Sequence, residues 1–184
     1  MDLADRHYEW EWSYLNNNSE VARYGVVAGY ICRYLDSGTL LDLGCGEAIL
    51  CKYLVPRSVK QYVGIDCSDV VFSLEHLPIP SLLSRARIET YCPEVSFNAI
   101  VFNEVLYYLT DPRATLTRYA RYLSSDGILV ISMYDNRRSV ELTNKVAEAW
   151  ASTADPEFET VDQAEITNVV QDLTWRTRVL RPRR

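Results

Sequence analysis

An alternating α/β fold built on a largely parallel sheet is what the sequence predicts, and three observations predict it. Short apolar runs such as Ala99-Ile100-Val101-Phe102 are bounded by polar residues, the pattern of strands buried on both faces. Stretches with helical periodicity fall between them, so strand and helix alternate along the chain. The run Leu40-Leu41-Asp42-Leu43-Gly44-Cys45-Gly46-Glu47 is followed by Gly64-Ile65-Asp66, with Asp66 twenty residues after Gly46. It reads as a buried strand, a glycine turn, a helix and a second strand closed by a carboxylate.

In chain order, residues 3–15 place Tyr8, Trp10, Trp12 and Tyr14 at every second position. That spacing suits a strand, but Glu9, Glu11 and the short length do not require one. Asn16-Asn17-Asn18-Ser19 is a cluster of N-cap residues, and residues 20–35 then put Val21, Tyr24, Val27, Ala28, Ile31 and Leu35 at helical spacing. Ser37-Gly38 stops that helix and leads into the first strand, 39–43. Further strands are expected at 61–66, 87–91, 99–103 and 127–133, with helices at 48–54, 69–76, 111–123 and 137–152. Residues 164–170 and 174–180, separated by Gln171-Asp172-Leu173, pattern as an antiparallel pair that closes the sheet.

The 184 residues fit one domain with one core, and a hydrophobic fraction of 48% is ordinary for a globular protein. No stretch reaches the ~20 apolar residues of a membrane helix, and the start lacks the basic and apolar regions of a signal peptide. The five cysteines include no C-x-x-C, and an odd count suits reduced thiols in a cytoplasm. No Cys/His set has metal-ligand spacing, so no metal is expected. A net charge of −6 argues against a nucleic-acid partner, whose phosphates need a basic surface. The basic tail Arg181-Pro182-Arg183-Arg184 reads as a solvated end.

The glycine turn narrows the ligand. Gly44 and Gly46 lack a Cβ, so the chain can turn sharply and let a ligand approach its amides. Asp66 can accept both hydroxyls of a ribose, which points to an adenosine-containing cofactor. A dinucleotide site wants G-x-G-x-x-G beneath a pyrophosphate, yet the third position here is Ile49 and the turn carries Asp42 and Glu47. Those carboxylates repel a diphosphate and attract an ammonium. S-adenosyl-L-methionine offers an ammonium, a sulfonium and a ribose, and carries no phosphate.

On these residues the sequence resembles the class I S-adenosylmethionine-dependent methyltransferases, whose first motif is an acidic residue followed by x-G-x-G. The likeness is good over residues 39–133, with Ala48 where many members have a third glycine. It implies a three-layer α/β/α sandwich with a seven-stranded, mostly parallel sheet whose last strand is antiparallel. The ligand crevice should lie beyond the carboxyl ends of strands one and four, where the winding switches direction. It implies one domain divided into residues 1–36, a lid and first helix, and residues 37–184, the cofactor-binding core.

The run Ser96-Phe97-Asn98-Ala99-Ile100-Val101-Phe102-Asn103-Glu104 resembles the family's fourth motif, with Asn98 where many relatives have aspartate. Asn103 falls at that strand's tip, where its backbone or side-chain carbonyl can hold the cofactor's ammonium. Glu104 can do the same, position a substrate amine, or cap the next helix. In the family, residues after strands two and three enclose the adenine, which points to Cys67 with Ser68 and to Tyr91 with Thr90. The implied cofactor set is Asp42, Gly44, Cys45, Gly46, Asp66, Cys67, Tyr91 and Asn103, with Cys45 and Cys67 as small fillers and not nucleophiles. Enzymes that methylate nucleic-acid bases resemble Asn/Asp-Pro-Pro-aromatic at this place. Asn103-Glu104-Val105-Leu106 lacks it, which favours a small-molecule substrate.

Methyl transfer is an in-line displacement, so the protein chiefly aligns the partners and excludes water. A general base is needed only where the acceptor arrives protonated. His7, in the segment that folds over the pocket in this family, is a candidate base or substrate contact, whereas His76 reads as structural. Glu104 and Tyr108 complete the catalytic candidates, with Tyr107 and Tyr134 beside Tyr108 at the pocket rim. Trp10-x-Trp12-x-Tyr14 with Arg23-Tyr24 bears a likeness to bacterial N-methyltransferases of sugar amines. The expectation is a cytoplasmic enzyme that moves a methyl group from S-adenosyl-L-methionine to an oxygen or nitrogen of a small metabolite. It has no membrane or nucleic-acid partner, and a homodimer or second subunit has room to complete the pocket. The rivals are a cofactor-binding regulatory subunit, an NAD(P)-dependent oxidoreductase, and a cofactor-dependent rearrangement without methyl loss.

Overall fold

The computed structural model describes residues 18–69, 76–135, 140–170 and 172–183. A 3-10 turn, Asn18–Glu20, leads into helix α1, Val21–Tyr34. Strand β1, Gly38–Leu43, is followed by a 3-10 helix at Ile49–Tyr53 and strand β2, Val59–Asp66. Strands β3, Ser81–Arg85, and β4, Phe97–Asn103, precede helix α2, Pro112–Ala120. Strand β5, Leu123–Tyr134, and helix α3, Val140–Ser152, lead to a hairpin of β6, Phe158–Asn168, with β7, Leu173–Pro182.

All seven strands join one sheet in the order β3-β2-β1-β4-β5-β7-β6. The pairs from β3 through to β5 are parallel, and β7 runs antiparallel to both β5 and β6. This is the expected mostly parallel sheet with its last strand reversed. Because β1 lies between β2 and β4, the chain winds outward from it in opposite directions, and a crevice opens there at the carboxyl ends.

Side chains alternate along each strand and both faces are covered, which is why the central strands read as unbroken apolar runs. Leu40 packs with Tyr62, Ala99 and Val101 against Val27, Ala28 and Ile31 of α1. Leu41 and Leu43 point the other way, into a layer with Ile100 and Phe102 covered by Leu116 and Tyr119 of α2 and Ala149 of α3. Each such leucine or isoleucine contributes about 2 kcal/mol on burial. Asp111 caps α2, its carboxylate accepting the Ala114 N–H at 2.8 Å, with Pro112 in the first turn where no N–H is needed.

Two expectations are corrected. The third strand is Ser81–Arg85, not 87–91, where the chain makes a turn that brings the Tyr91 N–H to the Arg87 carbonyl at 2.9 Å. As an edge strand, β3 leaves Leu82 exposed, so its apolar signal is thin, and Pro78 and Pro80 make its approach look like a loop. The helix expected at 48–54 is a single 3-10 helix. Ala48 enters it in the left-handed region (φ 48°), and the Cys51 and Leu54 N–H groups bond back only three residues. Outside the described residues lie the aromatic positions of 3–15, Asn16 and Asn17, residues 70–75 of the helix expected at 69–76, and the first turn of the one expected from 137. Glu20 holds the N-cap position of α1 without a side-chain cap bond. No helix among the described residues is long and apolar enough to cross a membrane.

Candidate functional site

A cavity of about 350 Å³ opens at the switch point, walled by residues just beyond β1, β2, β3 and β4. The turn after β1 is shaped by Gly44, whose φ is +75° and whose added Cβ would lie 2.6 Å from Val105 Cγ2. Only glycine meets both conditions. The next turn residue, Gly46, donates its N–H to Asp66 Oδ2 at 2.9 Å, and the Ser68 N–H donates to Asp66 Oδ1 at 2.9 Å. Asp66 thereby ties the glycine turn to the loop after β2. Each carboxylate oxygen still has a lone pair for a ligand hydroxyl.

Asp42 sits deeper than a surface charge. It is 2% exposed, and the Tyr62 hydroxyl donates to its Oδ2 at 2.5 Å. Burial pushes its carboxyl up to about 7, against the Tyr62 bond and Arg23, which favour the ionised form. Behind it, burial raises the Cys45 thiol far above its usual range, with Asp42 and Asp66 adding to the effect, so Cys45 is no nucleophile. Cys67 and Ser68 line the cavity after β2, and burial also raises the Cys67 thiol.

Arg23, quoted from the sequence only within a likeness of the N-terminal segment, is a site residue that reasoning from the sequence did not propose. It is 1% exposed, with its Nε 3.0 Å from Glu20 Oε2 and its Nη1 donating to Asn103 Oδ1 at 2.6 Å. The guanidinium also stacks 4.2 Å from the centre of the Tyr24 ring, and Nε lies 4.0 Å from Glu104 Oε1. Burial works against its charge, yet Glu104, with Tyr24 and Glu20, holds its pKa above the ordinary arginine value. A signal was there to find: Arg23 stands four and eight residues before Val27 and Ile31, on the buried stripe of α1.

Asn103 also lines the cavity, and its side-chain carbonyl accepts from the Arg23 guanidinium while keeping a second lone pair. Glu104 follows in the left-handed region, φ 59°. Its Oε2 accepts the Tyr107 hydroxyl at 3.1 Å and the Tyr134 N–H at 3.2 Å. Burial pushes its carboxyl up to about 7, opposed by Arg23 and by those hydrogen bonds. Tyr107 and Tyr134 stand behind Glu104 and do not line the cavity, whereas the half-exposed ring of Tyr108 does. Tyr91 does not line it either. Because β3 ends at Arg85, the wall there is built by residues 86–89, and the Tyr91 carbonyl instead accepts from Arg118 and Tyr119. His7 lies outside the described residues, and the exposed His76 is not part of the wall.

Among the described residues, five buried side-chain atoms have no hydrogen-bond partner, and four of them belong to cavity residues: Arg23 Nη2, Asp42 Oδ1, Ser68 Oγ and Glu104 Oε1. Buried polar atoms are normally satisfied, so their convergence marks a cavity built around a polar ligand. One end offers a cation and carboxylates to a zwitterionic head group; the other offers Asp66 to a diol. No group of three His, Cys, Asp or Glu able to hold a metal occurs among the described residues.

A family model described as a methyltransferase domain matches residues 22–173. Among curated proteins, a ubiquinone biosynthesis O-methyltransferase of Rhodopseudomonas palustris is 31% identical over 100 residues, half of this chain and 38% of that protein. The chain therefore spans well under two thirds of the length of the curated relatives it matches. Among solved structures, the N-methyltransferase NodS of Bradyrhizobium japonicum, bound to S-adenosyl-L-homocysteine, superposes with a TM-score of 0.73 over the whole of both chains at 17% identity. A methyltransferase of Thiobacillus denitrificans, also bound to S-adenosyl-L-homocysteine, gives 0.74 at 14% identity over the whole of both chains. At such identities the likeness is one of fold.

Proposed function

The chain belongs to the methyltransferase-domain family, and from that premise we propose that it transfers a methyl group from S-adenosyl-L-methionine to an oxygen or nitrogen of a small metabolite. The observation that carries this reading is the set of unpartnered atoms of both signs on one cavity wall. The residues fit the cofactor. Arg23 Nη2 would receive the carboxylate of its methionine part, Asp42 Oδ1 the ammonium, and Asp66 the ribose hydroxyls. Cys67, Ser68 and residues 86–89 would enclose the adenine. When bound, the cofactor supplies a methyl group on a positively charged sulfur, which an aligned nucleophile takes in line. A dinucleotide fits poorly, because its diphosphate would meet the carboxylates of Asp42 and Glu47.

In this reading residues 37–184 form the cofactor-binding core, with the first helix reaching into it through Arg23. Five unpaired cysteines support a reducing, cytoplasmic setting. Isothermal titration calorimetry with S-adenosyl-L-methionine, S-adenosyl-L-homocysteine and NAD tests the proposal. Dissociation constants in the micromolar range, of order −8 kcal/mol, are expected for the first two and none for NAD. Binding of NAD alone would remove the reading.

A further inference from the structure

Glu104 is the cavity residue whose placement the cofactor does not account for. Its carboxyl is held from behind, with Oε2 accepting from Tyr107 and from the Tyr134 backbone, while Oε1 makes no hydrogen bond. Its side chain is only 8% exposed and belongs to the cavity wall. The strained φ of 59° is the kind of cost a chain sustains where a side chain must be aimed. Beside it on the same wall stand Val105, Leu109 and the half-exposed ring of Tyr108, tilted against Tyr107 with ring centres 4.5 Å apart. This sector therefore combines one carboxylate with an apolar and aromatic surface.

Charge says what completes it. Arg23 Nε lies 3.0 Å from a Glu20 oxygen and 4.0 Å from Glu104 Oε1, and its charge also reaches Asp42, so three carboxylates share one cation. The cofactor's ammonium, sulfonium and carboxylate together add one positive charge, which leaves the buried cluster with an excess negative charge when all three acids are ionised. A hydroxyl acceptor leaves that excess in place, whereas an ammonium cancels it through a charge-assisted hydrogen bond.

Resting on the methyltransferase reading, we infer that the methyl acceptor is an amine that enters as an ammonium, seated on Tyr108, and that Glu104 is the base that takes its proton. The nitrogen gives one proton to Glu104 Oε1 and keeps the freed lone pair. That pair forms the new bond to the methyl carbon while the carbon–sulfur pair stays on sulfur. The product is a methylated ammonium, and Glu104 then returns its proton to solvent, so each turnover releases one proton.

The test uses the full chain saturated with S-adenosyl-L-homocysteine and probed by saturation-transfer NMR with two matched pairs, benzylamine against benzyl alcohol and cyclohexylamine against cyclohexanol. At about pH 7.5, where these amines are protonated, each amine should bind roughly tenfold or more tightly than its alcohol. In a Glu104→Gln protein that still folds and still binds S-adenosyl-L-homocysteine, the preference should vanish. Alcohols that bind as well as the amines, or no binding of either amine, overturn the inference in the wild-type protein alone, whatever the variant's folding. A preference that survives in a folded Glu104→Gln protein overturns the role of Glu104. Failure of S-adenosyl-L-homocysteine to bind in the first place strikes the proposed function instead.

Discussion

Replacing Asp66 by alanine removes two acceptors together, the one that receives the Gly46 N–H and the one that receives the Ser68 N–H. If Asp66 holds the ribose as proposed, affinity for S-adenosyl-L-homocysteine, measured by calorimetry, is expected to fall by about 1–3 kcal/mol. Unchanged affinity would put the ribose elsewhere. Asp42, Gly44, Gly46 and Asp66 were legible in the sequence because the constraint on each is local, a backbone turn or a strand tip. Arg23 was not, because its partner Asn103 lies eighty residues away and only folding brings them together. Tyr91 was misplaced because an error of a few residues in a strand's end moves every residue after it out of register with the cavity.

At the scale of elements, the turn between β1 and the following 3-10 helix is the most constrained piece of backbone at the site. Gly44→Ala would place a methyl group 2.6 Å from Val105 Cγ2 at a φ of +75°, so it meets a steric clash and an unfavourable backbone region together. The expected loss is about 2–4 kcal/mol in urea unfolding. Adding Val105→Ala should restore part of it by clearing the clash, leaving the backbone penalty; no recovery would mean that the neighbouring side chain is not what the glycine serves. The central strands were readable because burial on both faces leaves unbroken apolar runs. β3 was not, since an edge strand with residues open to solvent carries half the signal, and the short helix after Ala48 has no full turn from which to read a period.

For the whole molecule, two buried carboxylates give stability a definite pH dependence. Asp42 and Glu104 are both pushed by burial up to about 7, well above the value they take in an unfolded chain. Between about pH 4 and pH 7 the folded protein therefore holds protons that the unfolded chain has released, and stability must fall as pH rises through that window. Urea unfolding of the ligand-free protein should show this decline, and Asp42→Asn should flatten it by removing one of the two groups. A slope of opposite sign would mean that the two acids are stabilised as anions. The sheet order was within reach of the sequence, because alternation and a closing hairpin leave few topologies to choose from. The charge balance of the cavity was not, because the formal charge of a side chain says little once burial has moved its proton.

Cys67 stands on the cavity wall immediately after Asp66 and is an exposed residue, whereas Cys45 is buried. A ligand resting there would shield the sulfur from a bulky alkylating reagent. Peptide mapping of a maleimide-labelled sample would thus provide an occupancy footprint that needs neither turnover nor knowledge of the acceptor, and that suits screening of metabolite extracts.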